Sequence, residues 1–189
     1  MGLMFLGQLQ AQWVKTIGEY TLSYADISLS VTASAISDED ISIDIRVRAS
    51  KETTDMAICA DNDDIRKLSE TMIQMRDKYI EWVEVAKNNN VTSLVKQIDI
   101  LFPEIYAMWI YSGSTDVYSD FSLVLNPLFI ISNGNYRISI SADVTDESNA
   151  QIEEKIYWIF SSVEDFNGLI KLLDYDKIKA KVNEGDLFK

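Results

Sequence analysis

The strongest pattern in the chain runs from Asp61 to Asn90. Ile65, Leu68, Met72, Met75, Tyr79, Trp82 and Ala86 recur at alternating intervals of three and four, which places one apolar stripe along an α-helix. Asp61 or Asn62 stands where a side-chain oxygen can cap the first turn. Asp63 and Asp64 add negative charge where the helix dipole favours it. Asn88-Asn89-Asn90 ends the run, because such residues compete with helical hydrogen bonding.

Upstream the period changes from helical to alternating. Thr21–Val31 is rich in β-branched and aromatic residues and alternates through Ile27, Leu29 and Val31, which predicts a strand. After the polar turn Ser37–Asp40, the residues Ile41, Ile43, Ile45 and Val47 alternate with Ser42, Asp44, Arg46 and Arg48. That is a strand with one buried and one solvated face. A turn at Lys51–Asp55 leads into a short buried strand, Met56–Ala60. Leu3–Ile17 fits either a helical face or a strand.

Downstream of the long helix the plan is similar. Glu104–Tyr111 is a predicted strand, Ser112–Asp116 a turn and Val117–Leu125 a second strand, with Pro127 marking a bulge or an edge. Asn133-Gly134 between apolar runs is a hairpin signal. Tyr136, Ile138 and Ile140 alternate into the following strand, and Lys155–Phe160 forms another after a polar loop from Asp143 to Glu154. Ser162 with Asp165 opens a helix in capping-box fashion, with Phe166, Leu169, Ile170 and Leu173 as its stripe. The tail from Asp174 carries Lys177, Lys179 and Lys181 on alternate positions, as a strand or a frayed end would.

The similarity between the two stretches is detailed enough to predict a duplication. Tyr24-Ala25-Asp26-Ile27-Ser28-Leu29 matches Tyr118-Ser119-Asp120-Phe121-Ser122-Leu123, and Asp40–Ile45 faces Asn135–Ile140. Asp64–Leu68 faces Asp165–Leu169, and Ala11–Val14 faces Ala107–Ile110. The expected fold is α+β, with two similar lobes, each an antiparallel sheet of about four strands followed by a helix on one face. Residues 1–92 and 93–189 would form the two repeats, either as separate lobes or as one compact pseudo-symmetric domain.

Charge adds a constraint. Thirty acidic residues against seventeen basic ones, with no histidine, give a formal charge of −13. Such a surface attracts basic partners and repels nucleic-acid backbones and anionic lipid, so direct nucleic-acid and membrane binding are disfavoured. The apolar start Met1–Leu6 lacks a basic region and is interrupted by Gln8 and Gln10, and no run approaches the length of a membrane span. The lone cysteine, Cys59, excludes an intrachain disulfide framework and fits a reducing compartment. The expected location is the cytoplasm.

Candidate chemistry is sparse. Without histidine the commonest general base is missing, and with it any Ser-His or Cys-His pair. Cys59 sits in an apolar strand, where a thiol is inert packing. Asp61-Asn62-Asp63-Asp64 resembles the start of a calcium loop, but Arg66 and Met72 occupy the places that need glycine and glutamate. No glycine-rich phosphate loop is present in the sequence. Trp13, Trp82, Trp109 and Trp158 all lie on amphipathic stretches and are expected in the core. The chain is therefore expected to need no cofactor and no metal, and not to be an enzyme.

The strand–turn–strand–helix plan of Ile41–Leu68 and of Tyr136–Leu173 resembles that of small acidic immunity proteins of bacterial polymorphic toxin systems. The resemblance implies a non-enzymatic protein that neutralises or inhibits a basic partner, a toxin or a nucleic-acid enzyme, as a bacterial immunity protein or a phage-type inhibitor does. The candidate partner-binding carboxylates are Asp38, Glu39 and Asp40 in one turn and Asp143, Asp146, Glu147, Glu153 and Glu154 in the long loop. The alternative is a structural or assembly module of a phage or secretion system. The oligomeric state stays open, a homodimer included.

Overall fold

The computed structural model describes residues 13–24, 27–37, 40–51 and 54–184. The described residues begin with four strands, β1 (Trp13–Leu22), β2 (Ile27–Ser37), β3 (Asp40–Ala49) and β4 (Thr54–Asp61), and then the long helix α1 (Asn62–Asn88). Six more strands follow: β5 (Ser93–Gln97), β6 (Tyr106–Tyr111), β7 (Tyr118–Asp120), β8 (Asn126–Ser132), β9 (Asn135–Asp146) and β10 (Asn149–Phe160). Helices α2 (Val163–Leu172) and α3 (Tyr175–Asn183) complete the described chain. Every pairing is antiparallel.

The ten strands belong to a single sheet, in the order β5-β8-β9-β10-β3-β4-β6-β7, with β1 and β2 branching from β3. Strand β3 is its hub. One side pairs with β4 from Ser42↔Asp61 to Arg48↔Asp55. The other side is shared, β2 taking the first part of the strand and β10 only Arg48 and Ala49. At the far end β7 comes back beside β9, where the Glu147 N–H donates to the Ser119 carbonyl at 2.9 Å. The strands β3, β4, β6, β7, β9 and β10 thus close into a ring.

The closure between β7 and β9 depends on carboxylates. Asp146 accepts from the Ser119 N–H at 3.0 Å and from both the N–H and the hydroxyl of Ser148. Asp120 accepts from the Thr145 N–H at 3.0 Å and from Ser122. Where the two strands diverge too far for a regular ladder, side-chain oxygens take the place of carbonyls, so that buried N–H groups keep partners.

Alternation directs the apolar residues to one face of the sheet. Ile41, Ile43, Ile45 and Val47 on β3, Met56 and Ile58 on β4, Ile138 and Ile140 on β9, and Ile156, Trp158 and Phe160 on β10 are all buried. Helix α1 lays Ile65, Leu68, Met72, Met75 and Tyr79 onto this face, while Arg66, Glu70 and Asp77 stay exposed. Tyr79 also donates its hydroxyl to the Ser161 carbonyl at 2.6 Å, tying α1 to the start of α2. Helix α2 opens with the expected capping box between Ser162 and Asp165. Gly168 faces the ring of Tyr20 on β1, where a Cβ would lie only 2.4 Å away.

Several expectations are corrected. The strands do not divide into two four-stranded sheets, and strands from both sides of position 92 pair directly, β4 with β6 and β3 with β10. The matched stretches at Tyr24 and Tyr118 do not correspond: Tyr24 lies in the turn after β1, whereas Tyr118 begins β7. The polar loop from Asp143 to Glu154 is a hairpin instead, with β9 running to Asp146 and β10 resuming at Asn149. Its polar look has a structural cause, since β10 carries an irregularity between Asn149 and Glu153 that disturbs the alternation.

The stretch Thr21–Val31 is a hairpin rather than one strand, and the tail after Asp174 is helical, burying Tyr175, Ile178 and Val182. Pro127 lies inside β8, where its carbonyl accepts from the Ile98 N–H at 3.0 Å. Leu3–Gln12, the greater part of the ambiguous N-terminal segment, lies outside the described residues, but Trp13–Ile17 is strand. The Asn133-Gly134 hairpin forms as expected, with φ of 51° and 73°. Trp109 and Trp158 are fully buried and Trp82 partly so, while the side chain of Trp13 is outside the described set.

Candidate functional site

Of the eight carboxylates singled out in the sequence, Asp38 and Glu39 lie outside the described residues. The other six fall into two groups at opposite ends of β3. Asp40 opens the strand, whereas the hairpin residues sit beyond its last residue, Ala49. At about 3.3 Å per residue the two groups are on the order of 30 Å apart.

Three of the hairpin carboxylates, Asp143, Glu153 and Glu154, line a groove of about 460 Å³ together with Ser50, Lys51, Val144, Thr145 and Lys155, whereas Asp146 and Glu147 do not. Within it Asp143 pairs with Lys155 at 2.8 Å. Glu154 is buried and accepts from the Ser50 hydroxyl, from the Thr54 hydroxyl at 3.2 Å and from the Lys155 N–H at 3.0 Å, with the Lys51 ammonium 3.4 Å away. Burial pushes this carboxyl up, but the Ser50 hydroxyl, the Lys155 amide and Lys51 outweigh it and hold Glu154 below the usual glutamate range. Asp146 is likewise buried, as the latch between β9 and β7. Asp146 and Glu154 are thus both buried rather than displayed to solvent. Asp143, Glu147 and Glu153 remain exposed.

The other end of β3 has a different electrostatic character. Alternation puts Asp40, Ser42 and Asp44 on the outward face of β3, and the register sets Asp61 of β4 directly opposite Ser42. None of Asp40, Asp44 and Asp61 has an ion-pair partner among the described residues. Asp61 is held above the usual carboxylate range, first by desolvation and then by repulsion from Asp40, Asp44 and Asp64. Asp44 is raised by burial, an effect partly offset by a hydrogen bond from the Cys59 thiol. Burial and the neighbouring Asp44 in turn push the Cys59 thiol well up, so the thiolate is disfavoured and the cysteine is packing.

Local structure explains how Asp61 comes to be free. It occupies the N-cap position of α1, but its side chain makes no capping bond. Asn62 instead turns back at φ 46°, and its side-chain amide oxygen Oδ1 accepts from the Ile41 N–H at 2.8 Å. The capping role expected of this pair therefore becomes a clamp between α1 and β3. Nearby cations are already engaged, Arg66 by Asp63 and Lys67 by Asp64.

The sequence singles out Asp40 but not Asp44 or Asp61, which the fold groups with it. The alternation of β3 was enough to put Asp40 and Asp44 on one face; adding Asp61 required the β3–β4 register. Among the described residues no group of acidic, cysteine or histidine side chains has the geometry of a metal site. No helix of the described chain is long and apolar enough to cross a membrane. No protein-family model, no curated protein and no solved structure matches the chain.

Proposed function

We propose that the protein is a non-enzymatic acidic binding protein that neutralises or inhibits a basic protein partner, a toxin or a nucleic-acid enzyme, in the cytoplasm. The contact surface is the outward face of β3 and β4 around Asp40, Asp44 and Asp61. The observation that carries this reading is a group of three carboxylates, Asp40, Asp44 and Asp61, with no ion-pair partner among the described residues; Asp44 is raised by burial, and Asp61 by desolvation and then by repulsion from its acidic neighbours. A lysine or arginine from a partner would relieve that repulsion, whereas Asp143 and Glu154 already have Lys155 and Lys51. The excess of acidic residues would also steer a basic partner toward the chain.

The units β2-β3-β4-α1 and β8-β9-β10-α2 run in the same order, and Asp64 and Asp165 both stand at the third helical position after their caps. We take them as copies of one meander–helix unit, with β5, β6 and β7 lying between.

The reading is tested by capturing the partner from native-host lysate and following its association by stopped flow. Association should be fast at low ionic strength and slow steeply as salt is added. The triple variant Asp40→Asn, Asp44→Asn, Asp61→Asn should lower the association rate more than Asp143→Asn with Glu147→Gln does. A partner indifferent both to salt and to the triple variant would overturn it, and an assembly module held by apolar or backbone contacts would take its place.

A further inference from the structure

Among the described residues, three strands of the sheet have a regular ladder on one side alone, β1, β5 and β7. Two of these edges are closed. Along β1 the helices α2 and α3 pack, with the Lys181 ammonium on the Ile17 carbonyl at 3.0 Å and Tyr20 against Gly168. Strand β7 is closed by β9 through Asp146 and Asp120. Strand β5 has no such cover among the described residues, and all five of its residues are exposed.

The backbone of β5 has a definite polarity. The Ile98 N–H donates to Pro127 and the Thr92 carbonyl accepts from Gly134, so the even-numbered residues of this segment bond toward β8. In an antiparallel ladder the alternate residues then point their N–H and C=O groups the other way. These are Ser93, Val95 and Gln97. Edge strands that present such a row are templates for another strand, and proteins usually blunt them. Lys96, the one charged residue of β5, is turned onto the ring of Trp82 at 4.1 Å instead of guarding the edge.

We propose that β5 is a dimerisation edge, and that its occupant is β5 of a second copy, paired antiparallel about a two-fold axis through Val95. That axis fits both constraints of the strand. It sets Val95 opposite its own counterpart and Ser93 opposite Gln97, so the outward residues alone make the new ladder, with about six backbone bonds. It also keeps the apolar face of each sheet on the same side. Val95, 66% exposed, meets its counterpart directly, and Leu94, 38% exposed, flanks the junction. The strand carries no carboxylate, so two chains of formal charge −13 can meet here without opposing acids in the ladder.

The salt response separates this contact from the acidic face. A dimer of like-charged copies is strengthened by salt, whereas a basic partner is weakened by it. Sedimentation over a range of protein concentrations should show a monomer–dimer equilibrium that shifts toward dimer at higher ionic strength. Val95→Pro removes only the outward N–H and leaves the bonds to β8 in place. It deletes two bonds at the axis and should weaken the dimer on the order of thirtyfold. Val95→Asp, which sets two carboxylates face to face, should abolish it. In the unaltered protein, amide exchange at Ser93, Val95 and Gln97 should slow as concentration rises while Leu94 and Lys96 do not change. That readout holds even if a variant folds poorly. A chain that sediments as monomer throughout, or a dimer that persists in both variants with unchanged exchange at Val95, overturns the proposal.

Discussion

Asp165 and Ser23 lie 142 residues apart in sequence, yet one carboxylate oxygen of Asp165 accepts from both the N–H and the hydroxyl of Ser23, each at 2.8 Å. The other oxygen takes the N–H groups of Ser161 and Ser162 at 2.8 and 3.0 Å. One buried carboxylate therefore caps α2 and fastens the β1–β2 turn to it. Asp165→Ala would leave those donors without their acceptor and should cost about 3 kcal/mol. Urea denaturation measures the cost, and a change within experimental error would show that the turn is held by other contacts.

Stability against pH should have two opposing components. Burial raises the carboxyls of Asp146, Glu154 and Asp165, but hydrogen bonds outweigh it and hold all three below the usual range. Groups depressed in the folded state stabilise the fold fully above their unfolded values, near pH 4, and lose that contribution as pH falls through the folded ones. Asp44 and Asp61 are raised, so their penalty is present above their folded values and is relieved as pH falls through them. The urea midpoint should rise slightly on mild acidification and then fall. In Asp44→Asn with Asp61→Asn the rise should vanish and the fall remain.

The indole N–H groups of Trp109 and Trp158 are buried without a hydrogen-bond partner among the described residues. An unpaired buried donor costs about 1–3 kcal/mol, so removing it offsets part of the loss of packing. Trp158→Phe should therefore destabilise by about 1 kcal/mol, against roughly 3–5 kcal/mol for Trp158→Ala. A loss of about 3 kcal/mol or more for Trp158→Phe would mean that the N–H has an acceptor.

Gly168→Ala places a methyl group against the Tyr20 ring in the contact between α2 and β1. The ring must move, at a cost of roughly 1–3 kcal/mol. Tyr20→Ala in the same background should recover part of it, which a double-mutant cycle in thermal denaturation would detect.

Elements with their own local signal were legible in the sequence. The stripe of α1, the alternation of β3, the Ser162–Asp165 capping box and the Asn133-Gly134 turn each depend on residues close together in the chain. The misses share the opposite property. The turn at Ser23 and Tyr24 contains no glycine, proline or asparagine, and is held instead by Asp165 far downstream. Alternate lysines disguised α3, whose buried residues Tyr175, Ile178 and Val182 are spaced three and four apart. Asp146 and Glu154 read as surface charge because their partners lie on other strands, Ser119 on β7 for one and Ser50 after β3 for the other.

The central claim is that the acidic face at Asp40, Asp44 and Asp61 is where a basic partner docks. Its most direct test needs no knowledge of the partner. A short oligo-lysine peptide is titrated into the isotope-labelled protein at low ionic strength, and backbone and carboxylate resonances are followed by NMR. The expected shifts concentrate on Asp40, Ser42, Asp44 and Asp61, disappear at high ionic strength, and are lost in the triple asparagine variant. Shifts spread evenly over the acidic residues, or centred on Asp143, Glu147 and Glu153, would contradict the claim.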